Sequence, residues 1–378
     1  MGLIAPVDPL ALAQALIRRP SITPADAGAL DVLADALAPL GFELHRPRFG
    51  EIDNLVAIRP GPGRPVAFAG HSDVVPPGDL AAWSVPPFSA AIAADRLIGR
   101  GAADMKGAIA AWVAATARWL AGGGAGATML IITGDEEGDA VDGTARLMPW
   151  LADRGLLPEA VIVGEPTSAA TVGDTIKIGR RGSLNATLTV EGRQGHVAYP
   201  DRADNPISTL IRLLARLKAE PLDMGTEVFA PSNLEIVRVE GGEPVANNMI
   251  PASAMARFNI RFNDIHTGAS LESWLRTAAE AEGARATWDI RHSGDAFLTA
   301  RGPLSDTLVA AVQDVTGATP AFATGGGTSD ARFIRRYCPV VELGLVGATM
   351  HQIDEAVSFT EIACLTDIYA TFLARWFA

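Results

Sequence analysis

The sequence is poor in cysteine and in positive charge. Its 378 residues include 2 cysteines, Cys338 and Cys364, which lie far apart and form no C-x-x-C pair. This excludes a disulfide framework and a thiolate metal site, and it suits a reducing compartment. Lys and Arg number 31 against 43 Asp and Glu, which gives a net charge of -12. No nucleic-acid partner is expected, because nucleic-acid binders carry basic surfaces that release counterions.

The sequence also lacks an uninterrupted apolar run long enough to cross a membrane. Residues 107–134 carry Arg118 as their one charge, but the glycines at 122–124 divide the run. This pattern predicts a buried helix, a turn and a buried strand. The N-terminal segment has no basic n-region, and Asp8 and Pro9 interrupt its apolar residues, so it predicts a surface helix rather than a signal peptide. We expect a cytoplasmic protein with no membrane partner.

Alternating strands and helices dominate the rest of the chain. A length of 378 residues exceeds what one hydrophobic core usually supports, so two domains are expected. Residues 1–178 and 293–378 predict an α/β domain whose central sheet is mostly parallel, because apolar strands alternate there with helices. Residues 179–292 predict an inserted α+β domain of ferredoxin-like type, with alternating strands and two amphipathic helices.

Three adjacent carboxylates follow the apolar run at residues 128–133. They are Asp135, Glu136 and Glu137, in the segment "ITGDEEGDAVDGT". Carboxylates this close do not all ionise cheaply in a partly buried place unless a cation or a shared proton compensates them. A solvated turn after a strand is the alternative interpretation of an isolated acidic triplet.

Further metal-binding residue types stand near the ends of other predicted strands. Together with the triplet they form one candidate set: His71, Asp104, Glu136, Glu137, Glu165 and His351. Taken singly, such a His is more often a hydrogen-bonded structural residue and such a Glu a solvated one. As a set they suit two divalent metal ions, zinc before others, that share a carboxylate at the strands' carboxyl ends. Asp73 is expected to point to the same side as His71 and to accept the ring N–H that a metal does not use.

Several long motifs resemble the dinuclear zinc peptidase and deacylase family, and within it the desuccinylase branch most. The resemblance covers essentially the whole chain, and the motifs are "GRGAADMKG" (99–107), "GDEEGDAVDGT" (134–144), "IGRRGSL" (178–184), "GHVAYP" (195–200) and "GGGTSDARFI" (325–334). The resemblance implies two zinc ions per subunit, for which cobalt could substitute. It also implies amide hydrolysis of N-succinyl-LL-2,6-diaminopimelate to succinate and LL-2,6-diaminopimelate, in diaminopimelate and lysine biosynthesis.

The resemblance also implies roles for the metal-binding residues. Asp104 would bridge the two ions, His71 and Glu165 would complete one site, and Glu137 and His351 would complete the other. Glu136 would act as general base, and the Asp104–Met105 peptide would be cis.

The inserted domain would serve as lid and dimer interface. In the resulting homodimer His196 would act across the subunit interface. The substrate would be bound by a further group of residues: Arg180, Ser183, Tyr199, Asn248, Arg261, Gly327 and Thr328. For Arg180 and Arg261 this role suits the side chain, because a guanidinium pairs with a carboxylate through two parallel hydrogen bonds.

Gly347 departs from the desuccinylase pattern, which often has Asn four residues before the second-site histidine. This departure bears on the acyl and amino specificity and leaves the reaction class intact. A related N-acyl-amino-acid deacylase, acting for example on acetylornithine, is therefore the alternative activity. A non-catalytic carboxylate-binding protein on the same fold is a further alternative, although such a protein would not need Glu136.

Overall fold

A computed structural model describes residues 4–242 and 246–378. The strands are β1 (Glu43–His45), β2 (Arg48–Phe49), β3 (Ile52–Asp53), β4 (Leu55–Arg59), β5 (Val66–His71), β6 (Ala91–Ala93), β7 (Arg96–Ile98), β8 (Thr128–Thr133), β9 (Ala160–Val163), β10 (Thr175–Lys177), β11 (Gly179–Arg180), β12 (Gly182–Glu191), β13 (Gly195–His196), β14 (Asn233–Glu240), β15 (Met249–Ile250), β16 (Ser253–Phe262), β17 (Arg285–Gly294), β18 (Phe297–Leu298), β19 (Ala321–Ala323), β20 (Val340–Glu342) and β21 (Ala356–Ser358). The helices are α1 (Pro9–Ile17), α2 (Ala29–Leu37), α3 (Gly107–Ala121), α4 (Thr144–Ala152), α5 (Pro206–Leu217), α6 (Gly268–Ala281), α7 (Pro303–Thr316), α8 (Ala331–Ile334) and α9 (Phe359–Trp376).

The chain divides into two compact units. The first unit contains Met1–Ile178, Thr299–Ala323 and Ser329–Ala378, and the second contains Gly179–Leu298 and Thr324–Thr328. The chain thus re-enters the first unit at residue 299 rather than at the predicted 293, because β17 and β18 continue the second unit to Leu298. The sequence also did not predict that residues 324–328 belong to the second unit. Residues 1–3 and 243–245, which fall within the predicted domain ranges, lie outside the described residues.

The first unit is built on a sheet whose strands follow the order β1-β4-β8-β5-β9-β20-β10-β19. Its centre is parallel, since β5 pairs with β8 and β9 in parallel, and β20 pairs with β9 in the same way. Every residue of β5 and β8 is buried, which explains why these strands are continuously apolar rather than alternating. The predicted α/β fold with a mostly parallel central sheet is confirmed.

Helices cover this sheet and complete the larger core. Within it Phe68 of β5 stacks on Trp112 of α3 at 5.2 Å between ring centroids, and Tyr369 of α9 meets Phe68 edge-on at 5.7 Å. The apolar run at residues 107–134 separates into α3 and β8, as predicted. Among the described residues, no helix combines the length and the apolar character needed to cross a bilayer.

The second unit has a four-stranded antiparallel sheet in the order β14-β16-β12-β17. In chain order its main elements are β12, α5, β14, β16, α6 and β17, which is the ferredoxin-like pattern of two βαβ halves. Alternate residues of β16 are buried, because helices α5 and α6 pack on one face of the sheet. Asn205 begins α5 by accepting the N–H of Ile207.

Candidate metal centre

The metal-binding residue types of the first unit lie just beyond the carboxyl ends of adjacent parallel strands. His71 is the last residue of β5, the acidic triplet follows β8, and Glu165 follows β9. Neighbouring parallel strands end at the same edge of a sheet, so these side chains converge there. The Asp104 turn, between β7 and α3, and the His351 loop, between β20 and β21, supply the rest.

Asp104 lies between the two histidines. Its Oδ1 is 3.1 Å from His71 Nε2, and its Oδ2 is 3.2 Å from His351 Nε2. The side chain is buried, and the Asp104–Met105 peptide bond is cis, as the family resemblance implied. A carboxylate with one oxygen directed at each histidine has the arrangement that a bridging ligand requires.

The remaining carboxylates complete two groups around Asp104. Glu165 Oε1 is 3.8 Å from His71 Nε2, and Glu137 Oε1 is 2.9 Å from His351 Nε2. One atom from each of His71, Asp104 and Glu165 lies within 4.8 Å of the others, and the same holds for Asp104, Glu137 and His351. His71, Glu136 and Glu137 form a third such group. The structure therefore brings together all six candidates of the sequence analysis.

The orientation of His71 is fixed differently from the prediction. Its Nδ1 is 2.9 Å from the backbone carbonyl of Asp73, whereas the Asp73 carboxylate Oδ1 is 3.8 Å away. A carbonyl oxygen can only accept, so Nδ1 carries a proton and donates it to this carbonyl. Nε2 is the nitrogen directed at Asp104, and a metal ion would take the place of its proton. The prediction that the Asp73 carboxylate accepts this proton is wrong in its acceptor.

The Asp73 carboxylate instead shapes the loop that carries the acidic triplet. It accepts hydrogen bonds from the backbone N–H groups of Glu136, at 3.3 Å, and Glu137, at 3.0 Å. The hydroxyl of Thr23 donates to it at 2.6 Å. Asp135 has a local role of the same kind, since its carboxylate accepts backbone N–H groups from residues 140–142. Asp73 thus connects the end of β5 to the loop after β8.

The centre carries a surplus of negative charge. Hydrogen bonds to Asp104 and Glu137 raise the pKa of His351 to about 10. Burial lowers the pKa of His71, but Asp104, Glu136 and Asp73 outweigh burial and raise this pKa well above its usual value. Burial also raises the pKa of Glu136 well above its usual value, and Glu165 adds to this shift. A site that takes up protons so readily is one where cations are stabilised, and metal ions replace such protons on binding.

The donor set fits divalent metal ions. Imidazole nitrogens and carboxylate oxygens are the ligands that zinc and related first-row metals take in proteins. Two of the groups within 4.8 Å share Asp104 and contain one imidazole each. The described residues of this centre therefore match a two-ion site with a shared carboxylate.

The predicted substrate-binding residues all lie in the second unit, where they form smaller groups. Arg180 is buried on β11, and its Nη1 donates to the carbonyl of Gly327 at 3.1 Å. Ser183 on β12 pairs with Arg261 on β16 across the sheet. Thr328 lies beside Gly327 in the segment 324–328, which belongs to this unit.

His196, Tyr199 and Asn248 form a second group on the same unit. His196 Nε2 is 3.4 Å from Asn248 Nδ2, and the rings of His196 and Tyr199 are 5.8 Å apart. All three residues are exposed. The N–H of Ala198 donates to His196 Nδ1 at 3.1 Å.

The sequence analysis missed Arg100 and Glu355, which are buried beside the metal centre. Their side chains form an ion pair at 2.8 Å, with 3% and 0% of each exposed. Arg100 lies inside the quoted motif at 99–107, and Glu355 follows His351 by four residues, so nearness to predicted metal ligands was the available signal. Asp330, also buried, has a pKa raised by burial to about 6 and adds negative charge near Glu136.

Comparison with known proteins gives consistent results. The model of peptidase family M20/M25/M40 matches residues 67–375. The chain is 54% identical to the succinyl-diaminopimelate desuccinylase of Rhodospirillum centenum, over 98% of each chain. Among solved structures it resembles an M20 family metallo-carboxypeptidase from Sulfolobus solfataricus, with a TM-score of 0.81, 16% identity and coverage of 98% and 99%. It also resembles a dinuclear metal-binding M20 peptidase from Bacillus subtilis, with a TM-score of 0.71, 15% identity and coverage of 97% and 96%.

Proposed function

The chain belongs to peptidase family M20/M25/M40, and on that premise we propose that it hydrolyses N-succinyl-LL-2,6-diaminopimelate to succinate and LL-2,6-diaminopimelate. The observation that carries the reaction class is the Asp104 carboxylate, which directs one oxygen to His71 and the other to His351. The substrate assignment is supported by the relative that is 54% identical and bears the desuccinylase name. The reaction belongs to diaminopimelate and lysine biosynthesis.

Two zinc ions per chain fit this centre, and cobalt is expected to substitute for them. We assign His71 and Glu165 to the first ion, Glu137 and His351 to the second, and Asp104 to both. When bound, such ions supply Lewis acidity and a water that is acidic near neutral pH. The dinuclear site of the Bacillus subtilis peptidase of the same fold supports a pair of ions.

Glu136 is the proposed general base. Its backbone N–H is held by the Asp73 carboxylate, and its own carboxylate is not needed in either assigned ligand set. Burial and the neighbouring Glu165 raise its pKa, so it binds a proton more readily than an exposed Glu. The carboxylate can therefore take a proton from the attacking water and return it to the departing amine.

Substrate binding is assigned to the second unit. The proposed substrate carries three carboxylates, and Arg180 and Arg261 offer planar guanidinium groups that pair with them. Ser183, Tyr199, Asn248, Gly327 and Thr328 are assigned to the remaining polar contacts. His196 is assigned to stabilise the oxyanion of the tetrahedral intermediate through a ring N–H.

The same proposal extends to assembly and location. We infer a homodimer in which the second unit is lid and dimer interface and His196 acts across it. A cytoplasmic location is supported by the biosynthetic reaction and by Cys338 and Cys364, both of which are free thiols.

A related deacylase remains the second candidate because of Gly347. Its N–H donates to the carbonyl of Ser168 at 3.1 Å, and a Cβ at this position would lie 2.8 Å from the carbonyl oxygen of Pro166. The local backbone thus favours glycine where many desuccinylases have Asn. Glycine in place of Asn at this position would alter contacts with the substrate without altering the metal ligands.

The test is hydrolysis of N-succinyl-LL-diaminopimelate beside N-acetylornithine, each with and without a chelator. We expect turnover of the succinyl substrate that the chelator abolishes and added zinc or cobalt restores. Preference for the acetyl substrate would retain the metal chemistry and overturn the specificity. Absence of hydrolysis of both, with metal bound, would favour a carboxylate-binding protein.

A further inference from the structure

A buried ion pair joins the two loops that supply the proposed second metal position. Arg100 lies in the loop that leads to Asp104, and Glu355 follows His351 by four residues. Arg100 Nη1 and Glu355 Oε2 are 2.8 Å apart. These residues are 255 positions apart in the chain, so the pair is a tertiary link rather than a local turn.

The Glu355 carboxylate holds the backbone of the Asp104 loop. It accepts the N–H of Gly101 at 3.1 Å, of Ala103 at 2.8 Å and of Asp104 at 3.1 Å. A buried carboxylate carries a large desolvation cost unless charge and hydrogen bonds compensate it, so these contacts restrict the position of the Glu355 side chain. The position of the Asp104 backbone is thereby tied to Glu355.

The Arg100 guanidinium holds the His351 loop from the other side. Besides the ion pair, it donates to the carbonyl of His351 at 3.3 Å and to that of Gln352 at 3.2 Å. The ring of Trp83 lies 5.3 Å from the guanidinium carbon and covers it. One planar cation thus contacts a ligand residue, its neighbour and Glu355, which the point charge of a lysine cannot do.

The His351 loop requires such support because its backbone is strained. His351 has φ 62° and Asp354 has φ 56°, both in the left-handed region. Residues other than glycine persist there only where the surroundings determine their conformation. Asp354 is fixed at its side chain by the N–H and hydroxyl of Ser84, both at 2.9 Å. Arg100 supplies the corresponding contact at the His351 carbonyl.

We propose that the Arg100–Glu355 pair is a positioning device that sets Asp104 and His351 at the spacing required by the second metal ion. The inference rests on the proposed two-ion function. His351 belongs only to the second ligand group, whereas the first group contains His71 and Glu165, which Arg100 does not contact in the described structure. Loss of the pair should therefore weaken the second ion more than the first.

The test is stepwise titration of metal-free protein with zinc or cobalt by calorimetry, comparing the natural protein with Arg100→Lys. Lysine retains the buried positive charge but loses the fork that reaches both carbonyls. Residues that orient metal ligands typically contribute about 10- to 100-fold to affinity. We expect a loss of that size for the second ion and a smaller loss for the first, which shares Asp104. Activity of Arg100→Lys should then rise toward the natural level when free metal is increased, which a misfolded enzyme would not do.

Arg96→Lys is the matched control. Arg96 is exposed and donates to the carbonyl of Ala356, directly after Glu355, at 3.1 Å, but it contacts no part of the metal centre. The Arg96→Lys variant should bind both ions as the natural protein does. If Arg96→Lys lost the second ion equally, or if Arg100→Lys weakened both ions alike, the positioning role would be refuted.

A second variant distinguishes loss of the positioning role from misfolding. Glu355→Gln alone leaves the buried Arg100 without its charge partner, which is strongly destabilising. The double variant Arg100→Met, Glu355→Gln removes both charges, and it should fold yet bind one ion tightly and the other weakly. Tight binding of both ions by this variant would overturn the inference. A natural protein that binds fewer than two ions would instead refute the two-ion proposal, so the two failures are distinguishable.

Discussion

At the scale of single residues, the proposed reaction depends on proton transfer through the Glu136 carboxylate. Glutamine has almost the same shape but cannot accept a proton, so Glu136→Gln should lower kcat by about 100- to 10,000-fold. Metal content should stay at the natural level, because Glu136 is in neither assigned ligand set. Turnover and metal per chain are the measurements. Asp139→Asn, an exposed change in the same loop, is the control; near-natural turnover by Glu136→Gln would refute the assignment of the base.

Asp223 gives a residue-scale prediction about pH and stability. Its carboxylate accepts from Gly225 N–H and Asn263 Nδ2, both at 2.7 Å, and lies 3.1 Å from His266 Nε2. Burial raises its pKa, but hydrogen bonds led by that of Ser232 outweigh burial and lower the pKa below the ordinary 3.8. A lowered pKa contributes stability above the unfolded-state pKa, and that stability is lost as pH falls through the folded-state pKa.

Asp223→Asn should therefore lower the free energy of unfolding near pH 7 by about 1–3 kcal/mol, the usual contribution of hydrogen bonds to a charged group. The difference from the natural protein should begin to shrink below about pH 4 and should vanish only once the pH falls below the lowered folded-state pKa of Asp223, where both proteins carry an uncharged group. Denaturant unfolding of both proteins across this pH range measures the difference in their free energies of unfolding. Asp264→Asn, exposed and nearby, should show no such difference; a difference independent of pH would contradict the charge argument.

At the scale of elements, glycines at strand ends make room for the metal centre. Gly164 lies between β9 and Glu165, and a Cβ there would lie 2.3 Å from Phe68 Cζ and 2.6 Å from Met105 Cε. Phe68 cannot yield, because Trp112 and Tyr369 pack against its ring. The end of β9 can therefore approach β5 closely only with glycine at this position.

Gly164→Ala should destabilise the protein by about 1–3 kcal/mol, the usual cost of overpacking a core. It should also weaken binding of the first ion, because the added methyl displaces the residue before Glu165. Thermal unfolding of the metal-free protein and metal titration test the two effects. Gly302→Ala is the control, since its φ is 175° and no atom lies within 4 Å of the added Cβ; equal effects of both substitutions would contradict the packing argument.

At the scale of the whole molecule, the proposed dimer makes a prediction about mixed subunits. Glu136→Gln and His196→Ala should each be inactive alone. If His196 acts across the interface, a mixed dimer contains one complete site, with Glu136 from one chain and His196 from the other. Random exchange makes about half of the dimers mixed, so an equal mixture should regain about a quarter of natural activity.

Activity and molecular mass after mixing are the measurements. A Glu136→Gln subunit mixed with a Glu136→Gln, His196→Ala subunit is the control, because no combination of these chains has the base. Exchange of subunits without regained activity would place His196 in its own chain's site, and a monomeric mass would refute the dimer.

The sequence by itself determined the reaction class, the candidate ligands and the order of elements. A long motif contains Asp104, and the ends of predicted strands indicated His71 and Glu165. Strand and helix periodicity separated the two units near residue 178. These features are local, because a strand end or a motif is written in consecutive residues. The departure at Gly347 is likewise visible in the sequence alone.

Only the tertiary structure decided which groups meet. It placed Asp104 between the two histidines and made the Asp73 carbonyl the hydrogen-bond acceptor of His71 Nδ1. It also paired Arg100 with Glu355, 255 positions away in the chain. It also assigned residues 324–328 to the second unit. The physical reason is the same in each case: a hydrogen bond or an ion pair depends on distances of about 3 Å, and residues far apart in the chain reach such distances only through the packing of the whole fold.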